Sequence, residues 1–253
     1  MKILLSPAKS MELNIPDISI DKTSPLFMEK TNQIISVLKS WSISDFKSKM
    51  KISDTISLTT YETYKNWNQV DDEDGIPAVF LYSGTAFKGL SSIDWDNQDL
   101  DYAQNNLIIL SGLYGFLRPL DSINKYRLEM ALKFDISKEV NSLYKFWSKS
   151  ITSYLNDNYP KELIVNLASN EYSKVIDKKV IMSDILNCHF LEVKNGTEKS
   201  IASHAKRARG LFARFIVKNK LNDREDLKSF DLDGYKYRND LSNEKDYYFS
   251  RNH

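Results

Sequence analysis

The chain has 253 residues, enough to bury a sizeable core as one large domain or two intimate ones. Its 35 lysines and arginines face 34 aspartates and glutamates, which excludes a generally basic nucleic-acid binder while leaving room for a local basic face. A single cysteine, Cys188, excludes an intramolecular disulfide and points to a reducing compartment. With only His189, His204 and His253 beside it, a Cys/His metal site is not expected, and no cofactor is implied.

In chain order, Lys2–Leu5 reads as a buried strand, too short for a signal-peptide core and cut off by Ser6-Pro7. Ser24–Lys39 reads as an amphipathic helix with Leu26, Phe27, Ile34, Ile35 and Leu38 on its apolar face. Ser44–Met50 and Ile52–Trp67 are further helices. The acidic run Asp71-Asp72-Glu73-Asp74-Gly75 reads as solvated loop. Ala78–Tyr82 is a second apolar run, taken as a strand, and a helix over Asp99–Asn106 precedes the strand Leu107–Leu110. Tyr126–Met130 is strand-like, with Arg127 and Glu129 on one side as an ion pair. Leu143–Trp147 opens a helix over Tyr144–Asn156 and looks like aromatic core. Leu163–Leu167 is a fourth strand, followed by weaker candidates at Val180–Met182 and Phe190–Val193. A helix over His204–Asn219 leads to a tyrosine-rich tail, where Gly234–Arg238 and Asp246–Arg251 suggest an edge hairpin. No run reaches membrane-spanning length, so a cytoplasmic protein without a membrane partner is expected. The mixture indicates one α+β domain over 1–253, without the alternation of a doubly wound fold.

Three segments carry candidate chemistry. In Leu110–Pro119, Gly112 and Gly115 form an apolar-Gly-apolar-x-Gly turn followed by Arg118. Two readings stand: a helix-hairpin-helix turn whose amides grip phosphate, or a glycine loop after a buried strand. Pro119 counts against a second helix there. The segment His204–Lys220 holds Lys206, Arg207, Arg209 and Arg214 with no acidic residue. A helix of one sign is costly unless an anion or acidic partner neutralises it. Finally, three strand ends carry small polar residues: Ser6 and Lys9, Ser83 and Lys88, and Asn166, Ser169 and Glu171. Such loops either cap the next segment or gather into a pocket for a phosphate-bearing, nucleotide-like ligand. Ser6 with Lys9 as nucleophile and base is conceivable on spacing alone.

At Leu5–Lys9, Leu110–Asp121, Tyr126–Met130, Leu143–Trp147, Asn166–Tyr172 and Ala205–Phe215 the chain resembles the YaaA family of bacterial peroxide-stress proteins. The resemblance implies an unusual single-domain α+β fold, protection of DNA during hydrogen peroxide stress, and lowered free iron. It also implies binding of double-stranded or distorted DNA through a positively charged cleft and a helix-hairpin-helix element. Carried onto this chain, the hairpin falls on Gly112 and Gly115, and the cleft draws on Lys9, Arg118, Lys206, Arg207, Arg209 and Arg214. No catalytic residue comes with the resemblance. The competing expectation is an enzyme acting on a nucleotide, nucleobase or damaged DNA in the strand-end pocket. Direct iron binding by carboxylates such as Asp71–Asp74 would be weak and unselective.

Overall fold

The computed structural model describes residues 1–16, 21–68 and 75–252; the acidic run at 71–74 and His253 lie outside them. The chain opens with β1 (Lys2–Leu5), followed by α1 (Met28–Lys39), α2 (Ile43–Met50) and α3 (Asp54–Lys65). Local chemistry sets the helix starts. Ser42 and Asp45 form a reciprocal capping box on α2, and Ser53 accepts the Ile56 amide at the start of α3. A two-residue strand β2 (Ile76–Pro77) leads into α4 (Ala78–Leu81), α5 (Thr85–Leu90) and α6 (Asn97–Asn106), the last boxed by Asp96 and Asp99. Then come β3 (Leu107–Ser111), β4 (Gly115–Leu117), β5 (Ser122–Ile123), α7 (Leu143–Asn158), β6 (Ile164–Leu167) and α8 (Asn170–Ser173). The chain closes with β7 (Ile185–Lys194), β8 (Thr197–Lys199), α9 (Ala202–Asn219), β9 (Lys236–Tyr237) and β10 (Asp246–Asn252).

One eight-stranded sheet organises the core, in the order β4-β3-β1-β6-β7-β10-β9, with β8 also on β7. Its middle is parallel: β3, β1, β6, β7 and β10 run the same way, and β4, β8 and β9 are antiparallel additions. The four-residue strands β1 and β6 are wholly buried, as the mainly apolar strands of a parallel sheet covered on both faces should be. The architecture is therefore α+β around a mixed sheet. Among the described residues no helix is long and apolar enough to cross a membrane.

The expected tail hairpin forms, with Phe249 opposite Tyr237, but β10 also pairs in parallel with β7. The Phe190–Val193 candidate lies inside β7. Three expectations are corrected. Ala78–Tyr82 is a single helical turn after Pro77, not a strand. Its free amides bond outward, Ala78 to the Asp121 carbonyl and Val79 to the Pro119 carbonyl. A short, fully buried apolar run carries no periodicity to tell the two apart. Val180–Met182 is a turn, its amides spent on the Asp177 carbonyl and the Asn156 side chain, with Val180 and Met182 exposed. The Gly112–Gly115 segment is a β-hairpin turn joining β3 to β4, not a helix-hairpin-helix element.

That turn is buried because its glycines let other groups come close. A Cβ on Gly112 would stand 2.6 Å from the Leu128 carbonyl oxygen. One on Gly115, whose φ is +74°, would stand 2.8 Å from the Trp147 ring. Trp147 in turn donates its indole N–H to the Gly112 carbonyl, and the Leu113 and Tyr114 amides bond the Ser111 hydroxyl. The second close contact built on glycine is α5 against α9. Gly210 would put a Cβ 1.8 Å from the Ala86 carbonyl oxygen, and Gly89 one 2.5 Å from that of Arg207.

Candidate functional site

In a parallel sheet, ligands bind where connections leaving neighbouring strands diverge at their carboxyl ends. Here that point lies between β1 and β6, since the chain leaving β1 returns on the β3 side and that leaving β6 returns on the β7 side. Ser6 follows β1 and Ser169 follows β6, and they meet: the Ser169 amide donates to the Ser6 hydroxyl at 2.8 Å, and that hydroxyl donates to Ser169 Oγ at 3.3 Å. Two of the strand-end loops thus converge. Asn166 serves the sheet itself, donating to Asn187 and accepting the Ala168 amide. Lys9 Nζ sits 2.8 Å from Glu129, so it makes no nucleophile–base pair with Ser6.

Glu171 and Lys9 do not pair with each other, yet both reach the segment 127–131. Glu171 accepts the Ala131 amide, while Glu129 holds Lys9 and, at 3.6 Å, Arg127. Ser83 and Lys88 approach the same region through backbone only: the Ser83 amide bonds the Ser10 carbonyl, and a Cβ on Gly84 would meet that of Ala8 at 2.7 Å. Their side chains line a separate cavity of about 450 Å³ with Glu12, Leu13, Phe87 and Ile93.

Of the other cations expected at a DNA cleft, all but Lys206 are paired with the chain's own carboxylates or largely buried. Arg118 binds the buried Asp121 carboxylate through its amide and guanidinium and gives a further bond to the Ser24 carbonyl. Burial pushes the Asp121 carboxyl above its ordinary value despite those bonds. On α9, Arg214 makes a two-pronged pair with Asp94 at 2.7 and 2.6 Å, and Lys218 and Lys220 both pair with Asp99. Arg207 faces Asp233 at 3.6 Å. Arg209 is largely buried near Cys188, and burial lowers its pKa from the usual arginine value. Lys206 remains exposed on the solvent side. The acidic partner that a one-signed helix requires is supplied by the chain itself.

A cationic concavity does exist, on residues the sequence did not single out. Lys49, Lys51, Arg127 and Lys133 line a cavity of about 350 Å³ together with Met50, Glu129, Ala131 and Leu132. At its inner end, Arg127 and Glu129 also border a crevice of about 10 Å³ reaching Pro7, Lys9, Tyr126 and Tyr172, beside the carboxyl end of β1. At its outer end, Lys49 and Lys133 also border a further cavity of about 430 Å³. The row therefore carries five cations against the carboxylates of Glu129 and Asp135, with Lys49 also 3.6 Å from Asp45. Lys51 closes α2 in the left-handed conformation, φ 53°. Among the described residues Arg127 Nε, like Arg209 Nε on α9, is buried without a hydrogen-bond partner, an arrangement that calls for a water or ligand acceptor. Tyr126, on the inner wall, bonds Ser111 and Tyr82, and burial raises its phenol to about 12, so it stays protonated. Lysines at the end of α2 also complement the helix dipole, which is why their sequence pattern suggests no site. Lys133 comes some eighty residues later, and only the fold brings it to them.

Among the described residues no group of three or more histidine, cysteine, aspartate or glutamate side chains is placed to hold a metal ion. Over residues 1–241 the chain matches the family described as peroxide stress protein YaaA. It is 39% identical to a UPF0246 protein of Francisella philomiragia subsp. philomiragia over 256 aligned residues, covering 99% of this chain and 100% of that protein. A UPF0246 protein of Francisella tularensis subsp. novicida is 38% identical over the same span. With matches of this extent, the chain belongs to the peroxide stress protein YaaA family, and with it to the response to oxidative stress.

Proposed function

We propose that the protein binds the phosphate backbone of DNA without reading its sequence, through the cleft of Lys9, Lys49, Lys51, Arg127 and Lys133. The observation that carries this reading is the gathering of Lys49, Lys51, Arg127 and Lys133 around one cavity, with Lys9 in the crevice that adjoins it at Arg127, in a near-neutral protein. Segregated charge of this kind supplies affinity through counterion release, and lysine and arginine at phosphates position a duplex without discriminating bases. In the response to peroxide, a bound protein shields the backbone from iron-driven damage without itself holding iron. An enzyme acting on a nucleotide is the second reading. The meeting of Ser6 and Ser169 where ligands usually bind favours it, though Lys9 is turned toward Glu129.

Fluorescence anisotropy with two 20-base-pair duplexes of unrelated sequence tests the first reading. The two should bind within about twofold of each other, and log K should fall with log salt with a slope of about −3 to −5. A sequence preference above about a hundredfold, or affinity indifferent to salt, contradicts it.

A further inference from the structure

The cavity of about 450 Å³ bordered by Ser83 and Lys88 shares no lining residue with the cationic cleft. Its volume falls within the range of pockets that hold small ligands, roughly 300–1,000 Å³. One side is the extended strap 10–14, which runs antiparallel to 80–83. The Ser83 amide donates to the Ser10 carbonyl, the Glu12 amide to that of Leu81, and the Asn14 amide to that of Phe80. The stretch 91–93 after α5 is tied down as well, since Arg214 donates to the Ser91 carbonyl and the Ser92 hydroxyl to that of Val79. The cavity is therefore preformed, which spares a ligand the cost of ordering it. Phe80 and Phe87 line it as buried residues, while Leu13 and Ile93 border it with 62% and 40% of their surface exposed.

The strap is held by its backbone, which leaves its side chains to the cavity. Among the described residues neither the Glu12 carboxylate nor the Lys88 ammonium has a hydrogen bond or ion pair, so two opposite charges stand apart on one cavity. The Ser83 hydroxyl beside them is buried without a hydrogen-bond partner. These groups select a ligand. One of a single charge would leave the second charge unmatched, and a neutral apolar one would strip water from both without return. A zwitterion with an apolar body satisfies the whole set: its ammonium meets Glu12, its carboxylate meets Lys88, and its body covers Leu13, Phe87 and Ile93. We propose that this cavity binds such a zwitterion, an apolar α-amino acid or a dipeptide of such residues. The site is independent of phosphate binding at the cleft.

Calorimetry with the full chain tests this. Leucine, phenylalanine and the dipeptide leucyl-leucine are each titrated beside their N-acetylated and C-amidated forms, which lack the ammonium and the carboxylate in turn, with glycine as the zwitterion without an apolar body. At least one of the three should bind saturably with a Kd of about 1 mM or tighter. Tighter binding of leucine or phenylalanine assigns the site to free amino acids, and tighter binding of leucyl-leucine assigns it to peptides. Masking either charge should weaken binding at least about tenfold, and so should the double variant Glu12→Gln/Lys88→Gln, whose exposed positions leave the melting temperature unchanged. The proposal is overturned by the absence of saturable binding up to about 20 mM. It is equally overturned by affinity that survives capping or the double variant, or by glycine binding as tightly as leucine, phenylalanine or leucyl-leucine.

Discussion

At the scale of single residues, Gly115 shows how one signal served two structures. Positive φ and a missing Cβ are what a phosphate-gripping turn needs, and equally what a β-hairpin pressed under an indole needs. The structure uses them for the second: Trp147 fills the space a side chain would take. Gly115→Ala should therefore destabilise the protein by about 2 kcal/mol, through positive φ and overpacking together, and lower the melting temperature. DNA affinity per folded molecule should be unchanged. A variant that melts normally yet binds DNA poorly would restore the turn to the interface. Arg118 follows the same logic. Adjacency to the glycines suggested an anion, and the anion it meets is Asp121, at 2.8 Å and buried. A sequence displays the cation but not the carboxylate it will face, because the turn through Pro119 that joins them is a property of the fold.

Among the elements, those with strong local signals were legible: α2, α3, α7 and α9 as amphipathic stretches, and β1, β3 and β6 as buried runs. The turn of helix at Ala78–Leu81 was not, since its four residues are all buried. The absence of acidic residues on α9 was also read correctly as a demand for neutralisation. What sequence reasoning lacked was the supplier: Asp94 and Asp99, more than a hundred residues upstream, brought under α9 by its contact with α5. The Arg214 hydrogen bonds hold the Asp94 carboxyl below its usual value. For Asp99 burial works upward, and the Lys218 and Lys220 bonds outweigh it to leave it lowered too. A carboxyl lowered in the folded state contributes stability that is full above its unfolded value, about 4, and is lost as pH falls through the folded value. Melting temperature should therefore decline steeply between about pH 4 and pH 2, and more shallowly for Asp94→Asn. Parallel declines for the two proteins would mean that the pair with Arg214 contributes nothing to acid sensitivity.

For the whole molecule, a net charge of +1 conceals two arrangements of cations. One set, on α9 and at Arg118, is spent on internal carboxylates and holds helices to the sheet. The other, at Lys49, Lys51, Arg127 and Lys133, lines an open cavity, although Lys49 also meets Asp45 and Arg127 also meets Glu129, each at 3.6 Å. The sequence made the first set conspicuous by clustering it and hid the second by scattering it, so local density of charge pointed to the structural cations. Of the predicted strand-end pocket, the meeting of the loops after β1 and β6 was legible and the lysines opposite them were not. The direct test compares two sets of variants for binding to a paired duplex across a salt series: Lys49→Gln/Lys51→Asn/Lys133→Gln, with asparagine chosen to tolerate the left-handed position, and Lys206→Gln/Arg207→Gln on α9. The cleft variant should bind at least about tenfold more weakly, with the magnitude of its log–log salt slope reduced by about two to three, while the α9 variant stays within about twofold of the native protein. Unchanged affinity and slope in the cleft variant, or the larger loss in the α9 variant, would contradict the account.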